Sequence, residues 1–123
     1  MAKDSKLTLD EYQKEARKTA IYPRFEEESG KTPVLSLVYP VLKLTGEAGE
    51  VSEKIGKLLR DKNGALDPED KKELVKELGD ILWYVANIAE DLGVSLGTVG
   101  EININKLRSR KERGKLKGSG DNR

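Results

Sequence analysis

The chain contains neither cysteine nor histidine. Without cysteine it has no disulfide bonds, no zinc–thiolate site and no cysteine nucleophile. Without histidine it has no imidazole to act as a metal ligand or a general base, so acid–base chemistry falls to Asp, Glu, Lys, Tyr or water. No apolar run approaches the roughly 20 residues of a transmembrane helix, and the opening MAKDSKLTLDEY lacks the apolar stretch of a signal peptide. These absences predict a cytoplasmic protein with no membrane partner.

Hydrophobic residues are also scarce, at 36% of the chain against 37% charged residues. A small domain with so lean a core often completes it by oligomerising. Trp83 and the apolar loop VLSLVYPVL predict surface for such contacts, so we expect a homodimer or homotetramer. The 23 basic and 22 acidic residues nearly cancel, and this balance gives no overall field that would favour nucleic acid as a partner.

Apolar residues recur at helical spacing in four segments, each bounded by capping or helix-breaking residues. No strand pattern and no internal repeat is visible in the sequence. The predicted helices run from Thr8 to about Ala20, from Pro40 to about Arg60–Lys62, from Asp67 to Gly93 and from Ser95 to about Arg110. The sequence therefore predicts an all-α four-helix bundle over residues 1–110, followed by a basic, flexible tail over residues 111–123.

Four acidic residues form two pairs on the second and third predicted helices. Glu47 and Glu50 are three residues apart, as are Glu77 and Asp80, so each pair lies on one helix face. Glu47 with Asp80, and Glu50 with Glu77, are both centred on Asn63-Gly64, where a turn is expected. In an antiparallel helical hairpin these residues therefore lie abreast of each other across the two helices.

Four carboxylates brought this close repel one another, and a bound cation relieves the repulsion. Oxygen ligands without imidazole or thiolate favour a hard ion such as Mg²⁺, Mn²⁺ or Ca²⁺. Mg²⁺ commonly completes its shell with water and substrate phosphates, so the cluster points to phosphoryl chemistry with Mg²⁺ as the cofactor and Mn²⁺ as its substitute. The competing interpretation is a solvated helix face, with Lys54 paired to Glu50 and Lys57 paired to Glu53.

Two stretches, LTGEAGEVSEKIGKLLRD and KELGDILWYVANIAEDLG, resemble the MazG-like branch of the all-α NTP pyrophosphatase superfamily. The family signature is ExxE followed, after a spacer, by ExxD. Glu47, Glu50, Glu77 and Asp80 match it. The resemblance covers most of the chain, and the opening and closing segments are similar to the compact versions encoded by phages and bacteria. It implies a MazG-like fold in which these four carboxylates hold Mg²⁺ and form the catalytic site.

The resemblance also implies a reaction, in which a (d)NTP is cut between its α and β phosphates to give (d)NMP and pyrophosphate. Some relatives carry an extra Glu directly before the first motif Glu, proposed as the general base. Gly46 stands there in this chain, so the base is left open between a motif carboxylate and a metal-bound hydroxide. Some phage-type relatives act on guanine deoxynucleotides, so the resemblance implies dGTP or GTP as the first expected substrate of this chain. Housekeeping hydrolysis of dUTP, dCTP or damaged nucleotides is the alternative.

The last helix of the family often carries an N-x-x-K element directed at the nucleotide, and Asn103 and Lys106 match it. The family's usual Lys four residues before that Asn is Val99 here, so part of the phosphate clamp is missing or replaced. Lys54 and Lys57 lie on the carboxylate stripe and are the candidates to compensate. Their pairing with neighbouring acids is the competing interpretation.

Aromatic and amide residues follow the second carboxylate pair. Tyr84 and Asn87 share a helix face with Asp80 and are therefore candidates for the nucleotide pocket, although an exposed helical Asn is the simpler interpretation of Asn87. Trp83 is expected in the core or at an interface, since large aromatic residues at helical spacing usually pack.

The closing segment from Lys106 is rich in Lys and Arg. It is interpreted as a flap that closes over triphosphate or as a solvated tail. Nucleic-acid binding is disfavoured because no aromatic residue there offers a stacking platform.

For the whole chain, the rival is a non-enzymatic helical interaction module, which predicts that loss of the four carboxylates leaves function intact. A ferritin-like di-iron site is disfavoured because that class needs His.

Overall fold

The computed structural model describes residues 4–123, so the first three residues of the predicted domain and of the opening segment lie outside the described residues. Four helices follow one another along the chain: α1 (Leu9–Arg17), α2 (Val34–Asp61), α3 (Pro68–Asp91) and α4 (Leu96–Glu112). Residues 4–123 contain no strand. This architecture confirms the all-α, four-helix prediction. No described helix has the combination of length and apolar character that a bilayer crossing needs.

Helix α1 begins at the predicted cap and ends earlier than predicted. Thr8 Oγ1 accepts a hydrogen bond from the Glu11 N–H at 3.1 Å, which satisfies one of the free amides of the first turn. The other half of the predicted capping box is replaced, because Thr8 Oγ1 donates to the Glu11 carboxylate at 3.0 Å. The helix stops at Arg17 rather than Ala20, since the Ala16 carbonyl accepts from both the backbone N–H and the hydroxyl of Thr19.

Helix α2 begins at Val34, six residues before the predicted start at Pro40. Pro33 occupies the N-cap position, so the helix begins after Pro33 and not at Pro40. Pro40 therefore lies inside the helix, where it cannot donate to the Ser36 carbonyl. The buried Ser36 ties this turn to the preceding loop, because its hydroxyl accepts from the Phe25 N–H at 2.9 Å and donates to the Phe25 carbonyl at 2.8 Å. The apolar segment VLSLVYPVL, predicted as a loop, is thus the first part of α2.

Helix α3 has the start and stop that the sequence predicts. Asp67 and Asp70 form a reciprocal capping box, with each carboxylate accepting from the other residue's backbone N–H at 2.8 and 3.1 Å. Gly93 follows the last turn with a φ of 75°, and Val94 N–H donates to the Ala89 carbonyl. This Schellman-type ending needs a left-handed residue, for which glycine carries no steric penalty.

Helix α3 is the centre of the fold, because α1, α2 and α4 all pack against it. α1 also packs against α4, whereas within residues 4–123 α2 packs closely against neither of them. The core is small and lies where α1, α3 and α4 meet. It consists of buried Ala16, Ala86 and Leu96, with Tyr12, Leu82, Trp83 and Val85 packed around them.

Gln13 joins three parts of this core through its buried amide. Its Nε2 donates to the carbonyls of Val94 at 3.0 Å and Ala86 at 3.4 Å, and its Oε1 accepts from the Leu96 N–H at 2.7 Å. The side chain therefore bonds the buried backbone of α3 to that of the α3–α4 junction.

Substituting Gln13→Ala should lower the free energy of unfolding by about 1–3 kcal/mol, because it leaves buried backbone groups without partners. The matched control is Lys14→Ala, the next residue of α1, which is exposed. We expect that control to change stability by less than about 0.5 kcal/mol. Urea unfolding of both variants tests the prediction, and equal effects would contradict it.

A buried ion pair fastens the start of the α1–α2 loop to the end of α3. Arg17 lies 2.6 Å from Asp91, whose side chain is 5% exposed, and the Tyr22 hydroxyl donates to the same carboxylate at 2.8 Å. Burial, followed by the hydrogen bond to Asp91, raises the pKa of Tyr22 to about 12. Tyr22 therefore keeps its proton in the alkaline range above pH 10, where an ordinary tyrosine ionises.

The raised pKa of Tyr22 predicts how stability falls at high pH. Its ordinary value is 10.0, so its contribution to stability is complete below about pH 10 and is lost as the pH rises through about 12. The difference in unfolding free energy between wild type and Tyr22→Phe should shrink over that window. Denaturant unfolding from pH 8 to 12 measures it, and a constant difference would show that ionisation of Tyr22 does not matter.

The first half of α2 presents apolar side chains to solvent. They are each at least 42% exposed and are here called the α2 apolar face: Val34, Leu35, Val38, Tyr39, Val41 and Leu42. A monomer rarely leaves so many large apolar residues contiguous and uncovered. Exposed apolar surface of this kind is typical of protein–protein contact sites.

Candidate metal and nucleotide site

The α2–α3 hairpin brings the two predicted carboxylate pairs together. Asn63 and Gly64 form its turn with φ values of 53° and 77°, a left-handed conformation that Asn and Gly adopt most readily. Lys62 reinforces the turn by pairing at 3.0 Å with both Asp67 and Asp70. The turn lies where the sequence predicts it, and α2 and α3 pack along their length.

Three of the four predicted carboxylates meet between these helices. Glu47, Glu77 and Asp80 each offer a ligand oxygen, and these oxygens lie within 4.8 Å of one another. Glu47 and Glu77 are half-buried and Asp80 is exposed. Burial, followed by the nearby charges of Asp80 and Glu77, raises the pKa of Glu47. The carboxylates are therefore crowded, and removing their charge or adding a cation is favourable.

The donor set fits a small, hard divalent cation. Oxygens that share one Mg²⁺ lie about 3 to 4 Å apart, because each Mg–O distance is about 2.1 Å. The three oxygens here lie within 4.8 Å of one another, and small side-chain rotations would bring them into that range. Three carboxylates with an open, solvent-facing side also leave room for water or phosphate oxygens, as Mg²⁺ prefers.

Glu50, the fourth predicted ligand, is exposed and lies outside this group. Lys54, one turn further along α2, takes the place beside Glu77, with its ammonium 3.1 Å from Glu77 and 3.7 Å from Glu73. The hydrogen bond to Glu77 raises the pKa of Lys54. The predicted surface pairing of Lys54 with Glu50 is thus replaced by a bridge to α3.

Lys57 has the local partner that the competing interpretation predicts. It lies 3.5 Å from Glu53, and both side chains are largely exposed. A cavity of about 180 Å³ lies beside Lys54 and Lys57 near the hairpin turn. Lys57 therefore lies near the carboxylate cluster without contacting it, and its role toward substrate stays a prediction.

A cavity of about 300 Å³ opens at the cluster and is lined by Glu47, Asp80, Trp83 and Tyr84. Tyr84 thus lies where the sequence predicts it, beside the carboxylates. Burial is the main cause that raises the pKa of Tyr84, and the charges of Glu47 and Asp80 add to it. Trp83, predicted to be in the core or at an interface, is half-buried and forms part of this wall while its Nε1 donates to Thr19 at 2.8 Å.

Beside this carboxylate cavity lies another of about 430 Å³, here called the aromatic cavity, whose wall is mainly aromatic. Trp83 and Tyr84 line both, and the rest of its wall is formed by Ile21, Tyr22, Pro23 and Tyr39. Tyr22 stacks on Tyr39 with ring centres 5.4 Å apart, and its ring meets Trp83 edge-on at 6.1 Å. Sequence reasoning missed Tyr22 and Tyr39, although Tyr39 is at helical spacing from Glu47 once α2 is extended through Pro40.

Asn87 lies in the interior, where it is 1% exposed. Its Nδ2 donates to the Trp83 carbonyl at 3.0 Å, and its Oδ1 accepts from Arg17 at 3.3 Å. It also lines neither of the two cavities beside the carboxylates. The interpretation of Asn87 as an exposed helical Asn is therefore wrong, whereas its direct contact with nucleotide stays a prediction that the proposed site does not use.

Asn103 and Lys106 lie on α4, away from the wall of the carboxylate cavity. Lys106 pairs with Asp121 at 3.1 Å. The segment after α4 turns back on the helix, with Arg110 donating to the carbonyls of Gly120 and Asp121. The first two residues of the predicted tail belong to α4, which ends at Glu112. Within one chain, Asn103 and Lys106 are therefore not brought to the carboxylates.

Comparison with known proteins gives this geometry a context. The family model of the MazG nucleotide pyrophosphohydrolase domain matches residues 40–114, a span that includes the whole carboxylate cluster. No solved structure matches the chain.

Two relatives are similar in sequence. The Gene 37 protein of Mycobacterium phage L5 is 48% identical over 117 residues, which cover 95% of this chain and 100% of the relative. The uncharacterized protein YvdC of Bacillus subtilis (strain 168) is 35% identical over 74 residues, which cover 56% of this chain and 70% of that protein. With the family match across more than half of its length, the chain belongs to the MazG nucleotide pyrophosphohydrolase family.

Proposed function

We propose that this protein hydrolyses a nucleoside triphosphate to the monophosphate and pyrophosphate, with Mg²⁺ as its cofactor. The observation that carries the proposal is the meeting of Glu47, Glu77 and Asp80 within 4.8 Å in a chain of the MazG family. We propose these three as metal ligands and catalytic residues, and Glu50 as the fourth, reached by rotation of its exposed side chain.

The proposed reaction adds the oxygen of water to the α phosphorus and breaks the bond to the oxygen that bridges the α and β phosphates. Pyrophosphate leaves with that oxygen, and the proton of the attacking water is released. When bound, Mg²⁺ would neutralise the phosphate charge and lower the pKa of the attacking water. Glu47, Glu77 and Asp80 would hold the Mg²⁺ ion at one end of an open cavity, beside Trp83 and Tyr84.

The aromatic cavity supports a place for the nucleotide base. It shares Trp83 and Tyr84 with the carboxylate cavity, so phosphates beside the metal and a base against the rings are both within reach of one nucleotide. Aromatic rings bind any base face by stacking, and they therefore leave the choice of base to other groups. We propose dGTP and GTP as the first substrates to test.

A panel of all common dNTPs and NTPs, incubated with the protein in Mg²⁺, in Mn²⁺ and in EDTA, tests the activity. We expect triphosphate to be consumed with either metal and to be stable in EDTA. A preference for dUTP or dCTP would assign a housekeeping role instead of guanine specificity. If every triphosphate survived in both metals, the enzymatic proposal would be wrong and the interaction-module interpretation would gain.

We also propose that the α2 apolar face is covered in a homodimer or homotetramer. Leu42, Leu35 and Val34 are 65%, 56% and 78% exposed, and covering such residues contributes about 25 cal/mol for each Å² removed from water. Light scattering at micromolar concentration should give a mass at least twice that of the chain. Leu42→Glu should shift the mass toward the monomer, and a wild-type monomer would contradict the proposal.

A further inference from the structure

One cation already lies at the carboxylate site. Lys54 reaches across from α2 to α3, with its ammonium 3.1 Å from Glu77 and 3.7 Å from Glu73. The Glu77 side chain is only 15% exposed, whereas that of Glu73 is 42% exposed. Lys54 therefore holds the more buried carboxylate at close range and has a second, more solvated carboxylate one turn away.

We propose that Lys54 is a built-in counter-ion that occupies Glu77 in the absence of a divalent metal and withdraws to Glu73 when the metal binds. The inference rests on the proposed function, because that function supplies the metal. It assigns Lys54 a role in setting metal affinity, which differs from the phosphate contact predicted from the sequence.

The withdrawal follows from competition for one carboxylate. Glu77 belongs to the group that offers oxygens to the metal, and a divalent ion there repels an ammonium within a few Å. Glu73 lies closer to solvent and already accepts a hydrogen bond from Lys76 at 2.9 Å. Because Lys54 is within 3.7 Å of Glu73, a small change of its side-chain rotamers completes the exchange.

The arrangement has two opposite consequences for the protein. Without metal, Lys54 offsets the repulsion among Glu47, Glu77 and Asp80 and so stabilises the fold. With metal, it is a like charge that weakens binding. Removing it should therefore tighten metal binding and destabilise the metal-free protein, whereas a merely structural lysine would change stability alone.

The test measures binding of Mn²⁺ alone to the full chain, by the electron paramagnetic resonance signal of the free ion. Lys54→Met should lower the dissociation constant about three- to tenfold, as expected when one charge is removed a few Å from a divalent ion in a solvated site. Its melting temperature in EDTA should fall below that of wild type. The control is Lys57→Met, which removes a lysine one turn away that pairs with Glu53; it should change the constant less than about twofold.

A double-mutant cycle separates the exchange from general charge effects. In the wild-type background, Glu73→Gln removes the acceptor to which Lys54 withdraws, so Mn²⁺ binding should weaken. In the Lys54→Met background the same substitution should have a clearly smaller effect. Equal effects in both backgrounds would show that Glu73 acts by its charge alone, and would overturn the proposed withdrawal.

The outcomes separate this inference from the proposed function. If wild type binds Mn²⁺ and Lys54→Met binds it equally or more weakly, the counter-ion role is wrong while the metal site stands. If wild type binds no Mn²⁺ at millimolar concentration, both the metal site and the inference fail. Hydrolysis of triphosphate by wild type, assayed separately, decides the proposed function in either case.

Discussion

Asp80→Asn is expected to reduce nucleotide hydrolysis by at least about 100-fold and to raise the melting temperature of the metal-free protein. Asp80 shares the cluster with Glu47 and Glu77, and its amide replacement is a much weaker partner for a hard cation. The same change removes one of three crowded negative charges, which relieves repulsion when no metal is bound. A gain of about 2–4 °C in EDTA is the scale expected for a relief of this kind in a domain of this size.

Glu47→Gln should behave in the same way, because Glu47 is half-buried and carries a raised pKa from burial and the two neighbouring charges. The matched control is Glu53→Gln on the same helix, an exposed residue paired with Lys57. We expect that control to keep its activity and to melt within about 2 °C of wild type. Turnover in Mg²⁺ and melting in EDTA are the two measurements. Near-normal turnover in Asp80→Asn would show that the carboxylates form a solvated helix face and not a catalytic metal site. A lower melting temperature in EDTA would show that charge crowding is not the dominant effect.

Glu50→Gln distinguishes the two descriptions of the fourth carboxylate. The sequence predicts that Glu50 lies abreast of Glu77 and binds the metal. In the structure Glu50 is exposed, and Lys54 lies beside Glu77. A loss of turnover comparable to that of Asp80→Asn is expected from our proposal that Glu50 rotates to the metal. Turnover within twofold of wild type would limit the site to three carboxylates.

Asp91→Ala is expected to lower the free energy of unfolding by about 3–5 kcal/mol. Asp91 is buried and holds both Arg17 at 2.6 Å and the hydroxyl of Tyr22 at 2.8 Å. Removing one member of a buried pair leaves the other charge without compensation, which is much more costly than losing a surface pair. Urea unfolding measures the effect, with Glu90→Ala as the control, since Glu90 is the preceding residue and is exposed.

The same variant connects stability to the site. Tyr22, held by Asp91, stacks on Tyr39 and meets Trp83 edge-on, so the pair at the end of α3 supports the wall of the aromatic cavity. We expect Asp91→Ala to raise the KM for nucleotide while leaving the dissociation constant for Mn²⁺ within about twofold of wild type. An unfolding free energy within 1 kcal/mol of wild type would contradict the account of the buried pair.

The hairpin that carries the site is predictable because its signals are local. Asn63-Gly64 and the box of Asp67 and Asp70 fix the turn and the start of α3, and helical periodicity then places the motif carboxylates on facing sides. The meeting of Glu47 with Asp80 follows from this registry alone. What a registry does not specify is the rotamer of each side chain, which is why the place beside Glu77 belongs to Lys54 and not to Glu50.

Other parts of the site depend on tertiary contacts. Proline is common in the first turn of a helix, so the sequence predicts that α2 begins at Pro40 and leaves Tyr39 outside the helix. In the structure α2 begins at Val34, and the bonds of Ser36 to Phe25 hold this first turn against the preceding loop. Asn87 has the spacing of a site residue, but its side chain is buried against Arg17. These outcomes reflect packing between distant segments, for which one-dimensional spacing carries no signal.

Cleavage between the α and β phosphates is the central proposal, and product analysis on the best substrate of the nucleotide panel tests it most directly. Wild type with Mg²⁺ should release nucleoside monophosphate and pyrophosphate in equal amounts, resolved by ion chromatography in the absence of any pyrophosphatase. Release of nucleoside diphosphate and orthophosphate would contradict it.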